Sequence, residues 1–64
     1  MTINVNEMDK IAELLKANKK GNMYEEYLRR YTGPDTGLVW DEDSDTLGIA
    51  SDWYADASGN IVRR

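Results

Sequence analysis

Asp41, Glu42, Asp43 and Asp45 put four carboxylates into five residues, interrupted only by Ser44. Side chains of this kind at this spacing can ligate a hard cation, serve as an acid and base pair, or present negative charge to a cationic partner. The first option fits badly. Asp41, Asp43 and Asp45 match the opening alternation of an EF-hand loop, but such a loop also needs a glycine for its sharp turn and a closing bidentate glutamate. Thr46 and Asp52 stand at those places. The second option requires two carboxyls facing each other across a cleft. Four acids in one short run repel each other and stay in water. No catalytic residues, metal or cofactor are therefore expected, and the cluster reads as a solvated turn that offers negative charge outward.

Thr32-Gly33-Pro34-Asp35-Thr36-Gly37 has two glycines and hydroxyls, but lacks the Gly-Lys-Ser/Thr ending of a phosphate loop, and reads as a helix stop followed by a turn. Two helices around Gly21 have the outline of a helix-turn-helix, with Lys16, Lys19, Lys20, Arg29 and Arg30 as phosphate contacts. Glu25 and Glu26 would then open the recognition helix, where bases are read, so binding to nucleic acid is not favoured. Tyr24, Tyr27 and Tyr31 share one helical face, and Trp40 and Trp53 flank the acidic half. Each aromatic fits either of two roles: filling a small core, or anchoring an interface.

The chain that must position these groups is short. Its 64 residues contain no Cys and no His, which removes disulfides, thiolate or imidazole metal sites, and Cys or His catalysis. A single small α+β domain over residues 1–64 is expected, burying about 60% of the surface its unfolded form exposes. Stability then rests on an aromatic-rich core or on homo-oligomerisation. Charge is divided unevenly. Residues 1–32 carry +1, residues 33–64 carry −5, and the whole carries −4. Such a field favours basic protein surfaces over nucleic acid. No apolar run is long enough to span a membrane. Met1-Thr2-Ile3-Asn4-Val5-Asn6 lacks the basic-then-apolar pattern of a signal peptide, and a cytoplasmic protein is expected.

Local patterns divide the chain into helices and then strands. Asn4 or Asn6 can cap a helix over about 7–18, Asn4 with Glu7 having capping-box spacing, and Met8, Ile11, Ala12 and Leu15 recur with the period of one helical face. Gly21 is expected to end it in the left-handed conformation. Asn22 with Glu25 repeats the cap signal for a second helix over about 22–32, stopped at Gly33-Pro34. A period near two then predicts strands at about 37–41, 46–55 and 60–63, turning at the acidic cluster and at Asp56-Ala57-Ser58-Gly59-Asn60. A competing assignment caps a short helix at Ser51 or Asp52. The preferred architecture is two helices packed on a three-stranded antiparallel meander.

The functional expectation is a non-catalytic interaction module, accessory or inhibitory, that docks on a basic protein surface. Asp41, Glu42, Asp43 and Asp45 would supply the charge, and Trp40, Trp53 or the Tyr24, Tyr27 and Tyr31 face the apolar anchor. In size and composition the chain resembles small acidic proteins that block nucleic-acid-binding enzymes by charge mimicry, and small proteins of phages and mobile elements; no motif is involved. The alternatives are a DNA-binding regulator using the helical pair and a structural homo-oligomer.

Overall fold

Asn4 starts the first helix. In the computed structural model, which describes residues 2–64, α1 runs Val5–Ala17. The Asn4 side chain accepts the Asn6 N–H at 3.0 Å, and the Asn4 N–H donates to Glu7 Oε2 at 3.1 Å, which completes the capping box. Orphan donors at the helix start are thereby satisfied. Ile11 and Leu15 of the expected face are buried, and Met8 packs beside them.

The helix ends differently from expectation. Asn18, at φ −106°, closes α1 by donating both its backbone N–H and its side-chain Nδ2 to the Leu14 carbonyl. Gly21 is not among the residues of positive φ, because Asn18 already supplies the stop. The second helix, α2, spans Tyr24–Tyr31. Asn22 does not cap it. Met23 holds the cap position in right-handed helical geometry with no side-chain hydrogen bond, and Glu25 and Glu26 in the first turn complement the positive end of the helix dipole instead. Residues 18–23 are all turn or bend, and α2 starts at Tyr24, which places the cap at Met23, one residue past Asn22. Tyr24, Tyr27, Leu28 and Tyr31 pack half-buried against the core, so this stripe faces inward.

The sheet is the main correction. Four strands form two separate antiparallel hairpins: β1 (Leu38–Asp41) with β2 (Thr46–Ile49), and β3 (Trp53–Ala55) with β4 (Ile61–Arg63). A single three-stranded meander is therefore not what the chain builds. The expected strand over 46–55 breaks where Ala50 donates its N–H to the Gly37 carbonyl at 2.8 Å and Trp53 donates to the Ala50 carbonyl at 3.0 Å. Ser51 and Asp52 make that turn, as their side chains favour. The competing helix there is absent as well, since 53–55 is strand.

Both ends of the chain meet beside β4. Ile61 donates its N–H to the Ile3 carbonyl at 2.8 Å, and Asn4 bridges Asn60. Ile3, Ile11, Leu15, Leu38 and Ile61 form the buried core, each contributing about 1.5–3 kcal/mol by leaving water. The Asp56–Asn60 turn is closed as its composition predicts, with the Asp56 carboxylate accepting the N–H groups of Ser58 and Asn60, each at 2.9 Å. In the expected stop after α2, Gly33 and Gly37 both take positive φ, and buried Thr36 donates its hydroxyl to the Tyr31 carbonyl at 3.0 Å.

Candidate functional site

The acidic tip is the loop of the first hairpin. Asp41 pairs with Thr46 at the hairpin's mouth, leaving Glu42–Asp45 to reverse the chain. Two devices shape the reversal. The Asp43 N–H donates to Asp41 Oδ1 at 3.0 Å, and Asp45 takes φ 54°, a left-handed conformation that Asp tolerates better than most residues. That N–H holds the Asp41 carboxyl below its ordinary range; the Ser44 side-chain and backbone donors and the charge of Lys19 act in the same direction.

Asp41, Glu42 and Asp43 are exposed, as expected of a solvated turn. Asp45 is not free. Lys19, from the segment after α1, reaches across with its Nζ 2.9 Å from Asp45 Oδ1 and also donates to the Glu42 carbonyl. The hydrogen bond to Asp45 raises the Lys19 pKa, with the charges of Asp45, Tyr24 and Glu42 adding to it against partial desolvation. Nothing in the sequence signals this pairing, because Lys19 already had a sufficient reason to stand near a helix C-terminus.

A second tether joins the tip to α2. The Trp40 indole N–H donates to the Tyr24 hydroxyl at 2.7 Å, and that hydroxyl donates onward to Glu42 Oε2 at 3.4 Å. Of the nominated aromatics, Trp40 and Tyr24 are thus brought to the tip. Tyr27 and Tyr31 lie further along α2, with ring centroids 6.3 Å apart and Arg30 over Tyr31. Trp53 lies on the second hairpin. Its ring covers Gly37, where a Cβ would stand 2.3 Å from Trp53 Cδ2, and Arg63 stacks on it at 5.2 Å.

Trp40 and Trp53 also both line a groove of about 390 Å³ to which both hairpins contribute. Sequence reasoning overlooked this groove, since a continuous sheet would have closed it. Among the described residues, no three His, Cys, Asp or Glu side chains converge in a metal-binding group, and every buried side-chain nitrogen or oxygen has a hydrogen-bond partner. Among the described residues, no helix is long and apolar enough to cross a membrane. The site defined by this geometry is a braced, negatively charged hairpin loop beside an aromatic groove. No family model, curated protein or solved structure matches the chain.

Proposed function

We propose that this protein is a small non-catalytic interaction module, accessory or inhibitory in role, that docks on a basic protein surface in the cytosol. Asp41, Glu42 and Asp43 supply the free charge. Asp45 acts mainly through Lys19, which holds the loop in shape. Trp40 and Trp53 are the favoured apolar anchors because both line the neighbouring groove, which Tyr27 and Tyr31 do not; all four pack half-buried on the core. The observation that carries this reading is the bracing of the loop from two sides, by Lys19 and by Tyr24. A loop held in one shape loses less conformational entropy on binding. Complementary charge then accelerates encounter, and the aromatics slow dissociation.

The orientation of α2 supports a protein partner over DNA. Its apolar stripe turns inward, and Glu25 and Glu26 stand exposed on its first turn. The test is capture from host lysate with the wild-type chain and with the quadruple variant D41N/E42Q/D43N/D45N. Proteins retained by the wild type at low salt should be lost with the variant and with added salt. Equal retention by both would end the proposal.

A further inference from the structure

The edge of β1 is open where it borders the groove. Gly33 donates its N–H to the Leu38 carbonyl at 3.1 Å, so the Leu38 peptide groups face away from β2. In an antiparallel ladder this direction alternates. The N–H and C=O of Trp40 therefore also point away from β2. The bridge from Gly33 reaches only Leu38, and beyond it β1 has no second neighbouring strand among the described residues. The adjoining groove is lined by Pro34, Val39, Trp40 and Trp53, with Asp52 and Arg63 at its margin, and Val39 is 54% exposed.

We propose that β1 accepts an extended segment of the partner protein as an added strand, with an apolar residue opposite Trp40 and a cationic residue opposite Asp41. The alternation follows from the pleat. A residue opposite Trp40 shares its face and enters the groove, while its neighbours share the face of Val39 and Asp41, so that one of them meets the Asp41 carboxylate. The cationic choice follows from charge. Asp41 lies one residue further along the edge and Asp52 at the groove margin, whereas the Arg63 guanidinium is already engaged by the Trp53 ring and by the Pro34 carbonyl at 3.1 Å. Strand addition supplies main-chain hydrogen bonds for affinity and alternate side chains for specificity. This inference rests on the docking reading above and names the form of the partner segment.

The test is a titration of the isotopically labelled full chain, followed by amide and indole NMR shifts, with a synthetic peptide of alternating lysine and valine. A second peptide carries N-methyl groups at its central valines. The first peptide should shift the Val39, Trp40 and Asp41 amides and the Trp53 indole. N-methylation should weaken binding about tenfold, the loss of roughly one net hydrogen bond. Four results would overturn the inference: equal binding of both peptides, shifts confined to residues 42–45, no binding, or β1-edge shifts that follow protein concentration without peptide, which would assign the edge to a second copy of the chain. Failure of the docking reading looks different. Lysate proteins would then be retained equally by the wild type and by the D41N/E42Q/D43N/D45N variant, while the first peptide still bound at the β1 edge of the wild type.

Discussion

The indole N–H of Trp40 donates to the Tyr24 hydroxyl at 2.7 Å, tying the first strand of the acidic hairpin to the first turn of α2. Tyr24 also donates to Glu42, so one phenol spans the distance from strand to tip. Tyr24→Phe removes both bonds and leaves a half-buried indole donor without its acceptor. The expected loss is about 0.5–1.5 kcal/mol in urea unfolding, together with faster exchange of the Trp40 indole proton. Unchanged exchange would show that the phenol does not hold the ring.

Gly37 and Trp53 define the joint between the two hairpins. Gly37 takes φ +78°, and a Cβ there would overlap the Trp53 ring. Gly37→Ala should cost about 2–3 kcal/mol or more, from left-handed strain and displacement of the ring. Gly48 offers the control, since nothing lies within 4 Å of its added Cβ and its φ is ordinary. Gly48→Ala should stay within about 0.5 kcal/mol of wild type. Similar losses for the two variants would contradict this joint.

Asn4 and Asn22 carry the same cap signal in the sequence, yet only Asn4 caps a helix. Asn4 also donates from Nδ2 to the Ser58 carbonyl and to Asn60 Oδ1, each at 3.1 Å, which ties the start of α1 to the β3–β4 turn. Asn4→Ala should therefore cost about 1–2 kcal/mol. In thermal unfolding that is roughly 4–8 °C per kcal/mol for a chain of this size. Asn22→Ala should shift the midpoint little, and a larger effect at Asn22 than at Asn4 would contradict the capping assignment.

The pH response has two limbs. Asp41 has a folded pKa below its ordinary 3.8, so its contribution is present above that value and is lost as pH falls through the lowered folded value. Lys19 has a folded pKa above 10.5, so its contribution is complete below that value and is lost as pH rises through the raised one. Unfolding midpoints measured across pH should therefore fall below about pH 3.8 and above about pH 10.5 from these two groups. Asp41→Asn should flatten the acid limb and Lys19→Met the alkaline one. Salt should weaken the Lys19 effect, because the Lys19–Asp45 pair is partly exposed. Limbs identical to wild type in both variants would contradict the assignment.

The start and buried face of the first helix were legible because their signals are local. The Asn4–Glu7 box and the Met8, Ile11, Leu15 spacing act within a few residues, and α1 follows them. Turns at Asp41–Thr46 and Asp56–Asn60 were legible for the same reason, since Asp and Gly bond or bend their own neighbourhood. The break at Ala50 was missed. Its cause is the bond from Ala50 to Gly37 and the seating of Trp53 on that glycine, both between residues far apart in the chain.

The candidate site divides along the same line. Residue order alone determined that four acids crowd one turn and that this turn stays in water, because repulsion among adjacent charges needs no distant partner. Only the tertiary structure decided that Lys19 offsets Asp45, that Tyr24 and Trp40 brace Glu42, and that two tryptophans line a groove to which both hairpins contribute. Those outcomes depend on which surfaces the five-residue core brings together, and packing of that kind leaves no periodic trace in the sequence.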